Sequence, residues 1–248
     1  MTHNKVPRKI IIIGATSGIG KELALRYLDD HNQVGITGRR TDRLEEIKRS
    51  YPENTYYQQM DVCLPECVEQ LHSLIEKMGG LDMIIYCSGV GRQNKELDRD
   101  MELEAVKTNI DGFLRIVIAV YHYFKATNQK GRIVTISSVA GIRPLKLATA
   151  YSATKNFQMH YMSCLAQKAY DENIPVSFTT IIPGFIQTDF LKEKFPLTVS
   201  LDKGSALIYK AIEKGKRKAI LPLRWKFIVG GWKLIPGRLW EKYISRLI

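Results

Sequence analysis

Ile13-Gly14-Ala15-Thr16-Ser17-Gly18-Ile19-Gly20 is the stretch on which the fold turns. It follows an apolar run, Lys9 to Ile13, with the length and β-branched content of a buried strand, and leads into a helical run, Gly18 to Asp30. Gly14 permits a tight turn, Gly18 lets the backbone approach a pyrophosphate, and Gly20 lets the helix pack closely on the strand. The helix start offers free N–H groups and a positive dipole end to phosphate oxygens. Thr16 and Ser17 add hydroxyl donors, and Ile19 stands between the last two glycines. Alone, such a loop is also an ordinary turn; its strand–turn–helix setting favours nucleotide binding.

Outward from the loop the pattern alternates. Further strands are expected at Gln33 to Thr37, Tyr56 to Met60, Leu81 to Tyr86, Arg132 to Ser137, Pro175 to Ile182 and Lys218 to Leu221. Helices are expected at Thr41 to Ser50, Pro65 to Met78, Leu103 to Thr127, Tyr151 to Tyr170 and Ser205 to Lys214. Short β-rich runs separated by helices predict an α/β, doubly wound parallel sheet of the Rossmann type, with ligands at the C-terminal strand ends. Residues 1–222 read as one such domain and 223–248 as a basic amphipathic tail.

The second strand decides between two nucleotides. A carboxylate at its end would hold a ribose 2′-OH. Here the strand continues Gly38-Arg39-Arg40, with no acid. A planar guanidinium matches a phosphate, so the expected cofactor is NADP(H), with Arg39 the first contact and Arg40 the second.

Tyr151-Ser152-Ala153-Thr154-Lys155 places Tyr151 and Lys155 on one helix face. Free tyrosine, with a pKa of about 10, is a poor acid–base group at neutral pH. A neighbouring ammonium is expected to lower that value. Ser138, at the end of the fifth strand, can steady a carbonyl oxygen against Tyr151. Asn109 sits inside a long helix despite being a mediocre helix former, and can hold a water beside Lys155.

These residues together resemble the short-chain dehydrogenase/reductase family, over Gly14 to Gly184 or beyond. The resemblance implies a catalytic tetrad of Asn109, Ser138, Tyr151 and Lys155. It implies cofactor contacts from Gly14, Thr16, Ser17, Gly18, Ile19 and Gly20. Further implied contacts are Asp61 and Val62 at the adenine, and Pro183, Gly184, Ile186 and Thr188 near the nicotinamide carboxamide. Tyr151 and Lys155 count among the cofactor contacts too. Where the family usually has Asn-Asn-Ala-Gly, this chain has Tyr86-Cys87-Ser88-Gly89; Ser88 and Gly89 keep the small profile a cofactor needs. Ile13 replaces the family's usual Thr before the first glycine. The implied reaction is hydride transfer between nicotinamide and a carbonyl or secondary alcohol, with Tyr151 as general acid/base. The competing class on the same fold, a non-catalytic NADP-binding regulator, tends to lose the Tyr or Lys that stand here.

The chain has 248 residues, 45% hydrophobic and 25% charged, the profile of an ordinary globular domain. Its four cysteines form no disulfide framework, and Cys63, Cys67 and His72 make a poor metal site; no metal is expected. No signal segment or membrane-spanning run is seen, so a cytoplasmic location is the default. The loop Ala140 to Ala150 and the stretch Phe185 to Leu201 are apolar, with Ile142, Leu145, Leu147, Phe185, Phe190, Leu191, Phe195 and Leu197; these either face an apolar small-molecule substrate or pack on one another as a lid. Apolar residues on the two long helices, Phe113, Ile116, Val120 and Phe124 with Phe157, Met159, Tyr161 and Met162, suggest a homodimer or homotetramer.

Net charge is +12. From Lys216 onward nine basic residues face one acid, Glu241. The tail interleaves these with Trp225, Ile228, Val229, Trp232, Ile235, Leu239 and Trp240, and then Tyr243, Ile244, Leu247 and Ile248, at helical spacing. Such a helix lies at a membrane surface, or packs over its own active site or a partner subunit. No nucleic-acid motif accompanies the charge, and no nucleic-acid partner is expected.

Overall fold

Ile10, Ile11, Ile12 and Ile13 have no exposed surface, which a strand achieves only when both faces of its sheet are covered. A computed structural model describes residues 6–188 and 197–242. Among these the strands are β1 (Lys9–Ile13), β2 (Gln33–Gly38), β3 (Thr55–Gln59), β4 (Met83–Tyr86), β5 (Gly131–Ile136), β6 (Val176–Pro183) and β7 (Lys218–Leu221). They form one sheet, ordered β3-β2-β1-β4-β5-β6-β7, with every pairing parallel. Side chains alternate across a strand, so β1 feeds two cores. Ile11 and Ile13 join the layer beneath α3 (Cys67–Lys77), α5 (Gly112–Thr127) and α6 (Thr149–Asp171). Ile10 and Ile12 join the layer beneath α1 (Gly18–Asp29), α2 (Thr41–Ser50) and α7 (Leu201–Glu213).

Two helices start a full turn before the expected position. The helix expected from Leu103 begins as α4 (Arg99–Val106), because the Asp98 carboxylate accepts from the Met101 N–H at 2.9 Å and caps a first turn whose charges hid its periodicity. Between α4 and α5 the chain makes a π-helical turn, Lys107–Asp111, that holds Asn109. Likewise α7 starts at Leu201 rather than Ser205, with Ser200 accepting from the Lys203 N–H at 3.4 Å.

Phe113, Ile116, Val120 and Phe124 are fully buried in the chain's own core. They therefore offer nothing to a second copy; on the other helix Met159 and Met162 are buried too, while Phe157 and Tyr161 are only partly covered. A strand-covering helix buries its apolar stripe on the sheet first.

The tail forms α8 (Leu223–Leu234) and α9 (Gly237–Lys242), broken at Pro236; Tyr243, Ile244, Leu247 and Ile248 lie outside the described residues, as do Phe190, Leu191 and Phe195. Trp225 and Val229 are buried with Val139, Met159 and Ile182 in a third apolar cluster, which Ile142, Phe185, Ile228 and Trp232 flank. Phe185, Trp225, Trp232 and Trp240 follow edge to face, with ring centroids 5.1, 5.5 and 5.1 Å apart. Arg143 caps the end of α8, donating to the carbonyls of Trp232 at 3.0 Å and Ile235 at 2.5 Å, and lies 5.3 Å over the Trp240 ring. Trp225→Ala should therefore cost about 3–5 kcal/mol, as core aromatic truncations do, read as a lowered denaturant midpoint. A cost below about 1 kcal/mol would mean that the tail is not part of the folded unit.

Candidate functional site

The glycine loop leaves β1 at its C-terminal end, and its backbone is set by groups that no larger residue would admit. Gly14 has φ +85° and Gly18 φ +55°. A Cβ on Gly14 would lie 2.8 Å from the Ser88 backbone, and one on Gly20 2.1 Å from the Gly14 carbonyl oxygen. Gly14 and Ala15 donate their N–H groups to Thr37 O, at 3.1 and 2.8 Å. Thr188 reaches this loop, 3.7 Å from where a Gly18 Cβ would stand. Ile19 packs against the core and Ile186 is buried beside Gly204.

Of the two arginines after β2, Arg40 turns to the loop. Its Nη2 donates to Thr16 Oγ1 at 2.7 Å and to Ser17 Oγ at 2.8 Å. Arg39, the first choice from sequence, is exposed, and only its backbone carbonyl joins the site's neighbourhood, accepting from Gln59 at 3.3 Å. Arg43, not foreseen, donates to Thr16 O at 3.4 Å. Asp61 accepts from the Cys63 N–H at 3.0 Å. Val62 is buried so closely on α5 that a Gly112 Cβ would meet it at 2.7 Å.

The tetrad residues converge at the ends of β4 and β5. Lys155 is buried; its Nζ donates to Ile136 O at 2.9 Å and to Gln158 Oε1 at 3.1 Å, and stands 5.8 Å from the Tyr151 ring centroid. Ser138 stands close enough to Tyr151 to lower its pKa and accepts from the Ala140 N–H at 3.2 Å. Asn109 has its side chain committed to protein: Oδ1 accepts from Val90 N at 2.9 Å, while Nδ2 donates to Val90 O at 2.7 Å and Thr154 Oγ1 at 3.0 Å. Gly89 faces Asn109 and Lys155, its absent Cβ leaving 3.2 and 3.3 Å to their polar atoms.

The electrostatics differ from expectation. Burial raises Tyr151 above the ordinary tyrosine value, and the hydrogen bond from Ser138 only opposes that rise. Burial lowers Lys155 to about 8, with the Cys87 thiol acting the other way. An ammonium so desolvated has much of its influence cancelled by the cost of its own charge.

Three supporting residues escaped the sequence reading. Glu102 on α4 accepts from Thr149 Oγ1 at 2.7 Å and Ala150 N at 2.8 Å, a carboxylate at the N-terminus of the helix bearing Tyr151. Ser137 donates to Lys155 O at 2.9 Å. Gln158 is fully buried. A capping carboxylate from a distant helix carries no local signal, but a glutamine three residues after Lys155 on a helix could have been flagged from spacing.

Residues 8–197 match the short chain dehydrogenase family. The chain belongs to the short-chain dehydrogenase family. Among curated relatives, the Dehydrogenase/reductase SDR family protein 7-like of Dictyostelium discoideum is 30% identical over 75% of this chain, and the matched span is 60% of that protein's length. The 11-beta-hydroxysteroid dehydrogenase-like 2 of Arabidopsis thaliana is 27% identical over 92% of this chain and 78% of that protein. A solved short chain dehydrogenase of Burkholderia cenocepacia, in complex with NADP, shares the fold at TM-score 0.81 and 17% identity, over 95% of this chain and 97% of that one. Among the described residues no group of His, Cys, Asp or Glu is arranged to hold a metal, and Cys63 instead meets Thr108 at 3.4 Å.

Proposed function

We propose that this chain is an NADP(H)-dependent oxidoreductase acting on the carbonyl or secondary alcohol of an apolar substrate. The observation that carries this reading is Tyr151 beside Ser138, its ring centroid 5.8 Å from a buried Lys155 Nζ, at the strand ends where the glycine loop opens. The residues fit a dinucleotide: the loop is a cradle that Cβ atoms would fill, and an arginine already bridges its two hydroxyls. Gly14 to Gly20 would hold the pyrophosphate, Arg40 with Thr16 and Ser17 the 2′-phosphate, Asp61 and Val62 the adenine, and Pro183 to Thr188 the nicotinamide end. NADP(H), when bound, supplies the hydride. Lys155 would hold the nicotinamide ribose.

Ser138 places the substrate oxygen against Tyr151 and steadies it. Tyr151 gives that oxygen its proton. Burial holds the phenol above its ordinary pKa, so the lowering that acid–base catalysis near neutral pH needs would come from the Lys155 ammonium and a bound oxidised nicotinamide. Glu102 holds the N-terminus of α6 and so the position of Tyr151. The apolar substrate is supported by Ile142, Phe185 and the tryptophan ladder behind them, and by the likeness to a plant protein named for a hydroxysteroid. Self-association, a family habit, would use the exposed Leu103, Val106 and Ile118.

In fluorescence titration NADPH should bind more tightly than NADH, and Arg40→Ala should narrow the gap by about 1.5–3 kcal/mol, the scale of a charged hydrogen bond. Equal affinities in the parent would sink the NADP assignment. Tyr151→Phe should keep NADPH binding and lose nearly all turnover of any ketone the parent reduces; a near-normal rate would remove Tyr151 as proton donor.

A second face favours attachment to an anionic membrane surface. With the tryptophans turned inward, Leu223, Phe227 and Leu234 stand 65%, 73% and 84% exposed, on one side of α8 by their spacing. Arg224, Lys226, Lys233, Arg238 and Lys242 flank them. Apolar side chains ringed by cations suit a lipid interface. No helix among the described residues is long and apolar enough to cross a membrane. Anionic vesicles should co-sediment the protein at low salt and release it at high salt, and Leu223→Ser, Phe227→Ser and Leu234→Ser together should abolish binding without lowering the melting temperature. Protein left in the supernatant at low salt would end this reading.

A further inference from the structure

An ammonium has three N–H donors. On Lys155 one goes to Ile136 O at 2.9 Å and one to Gln158 Oε1 at 3.1 Å. The other end of the same amide donates from Nε2 to Asn109 O at 2.9 Å. These partners leave no choice of amide orientation, because an ammonium only donates and a carbonyl only accepts. Gln158 has no exposed surface. The space on the Gly89 side of Lys155 is kept open by the missing Cβ, which would stand 3.3 Å from Nζ.

We propose that Gln158 is a positioning residue for the reaction: it clamps the Lys155 ammonium to the Asn109 carbonyl and leaves a single N–H for the cofactor. The identity of that cofactor rests on the NADP(H) reading above; the clamp itself does not. The chemistry is selective for charge. A neutral amine has only two N–H groups, and both are already taken by Ile136 O and Gln158 Oε1. Lys155 therefore donates to the cofactor only while protonated. The Gln158 oxygen stabilises that charged form against burial, which alone drives it down. The titratable groups about Lys155 among the described residues are Tyr151 on its own helix and Cys87 after β4, whose thiol burial pushes up to about 12.

Two variants separate this role from simple packing. Gln158→Ala removes the acceptor; Gln158→Glu keeps the shape and adds negative charge, at some loss of stability against the Asn109 carbonyl. In 15N-lysine-labelled protein without cofactor, the ammonium signal missing from Lys155→Arg identifies Lys155, and it is titrated over about pH 6–10, the range around a depressed lysine. The midpoint should fall by about one pH unit in Gln158→Ala and rise by a similar amount in Gln158→Glu, the scale of one hydrogen bond to a charge. NADPH titrations by fluorescence over the same range should lose affinity at alkaline pH, with the loss shifting in step with those midpoints. A packing residue would lower the melting temperature and leave both midpoints where they are, and that result in folded variants overturns the proposal. If Gln158→Ala does not fold, Gln158→Glu decides alone, since an unmoved midpoint there is equally fatal. If the parent binds no NADPH, the cofactor reading falls, while the ammonium titration still judges the clamp.

Discussion

A parallel sheet with helices on both faces leaves its strand ends as the places where backbone and side chains meet without being packed away. All seven strands here point the same way, so the residues that follow β1, β2, β4, β5 and β6 are delivered to one edge. That single constraint brings Gly14, Arg40, Gly89, Ser138 and Gly184 together from across the sequence. It also explains the close approaches along the edge: neighbouring strand ends lie about 4.8 Å apart, and the loops leaving them touch unless small residues stand there. Gly14 against Ser88 and Gly38 against Thr16 are two such places.

Within that edge a charge is buried. Taking an ammonium out of water is costly unless its donors find acceptors. The surroundings of Lys155 are organised around that requirement. The strand end supplies Ile136 O, the helix supplies Gln158, and the π-helical turn supplies the Asn109 carbonyl behind it. Tyr86 donates to Thr108 O at 3.1 Å in the same turn. A regular helix would use these carbonyls internally; the widened turn turns two of them, those of Thr108 and Asn109, toward side-chain donors. Glu102, bonded to Thr149 and Ala150, holds the start of the helix that carries both Tyr151 and Lys155.

The tail belongs to this construction rather than trailing from it. Trp225 covers Gly184 so closely that a Cβ there would stand 2.1 Å from its indole nitrogen. Arg143, just past Ser138 in the chain, ties the end of α8 to the loop that borders the site, and Trp240 returns a hydrogen bond to Pro144 O at 3.0 Å. Trp225 and Trp232 thus pack against the loop that follows Ser138, while Leu223, Phe227 and Leu234 stand on the outer face of α8.

The order of strands and helices was legible in the sequence because periodicity and glycine placement are local properties. The β1 boundaries, Lys9–Ile13, and those of α2 and β7 were read as they stand. The glycine loop, Tyr151, Lys155 and Ser138 were legible for a similar reason: each is a short motif at a fixed place in that order. What the sequence did not decide were the relations across distance. Phe113 and its neighbours look like surplus apolar surface until the sheet beneath them is counted. Arg39 and Arg40 are equivalent as residue types, and only the path of the chain after β2 turns Arg40 toward Thr16. The tail's apolar stripe was plain in sequence, but its partner was not, because a helical moment records that a face is apolar and not what covers it. The direction of the Tyr151 shift was missed in the same way. The pair Tyr151 and Lys155 can be read from spacing alone, whereas desolvation depends on everything packed around them, and only the tertiary structure sets that.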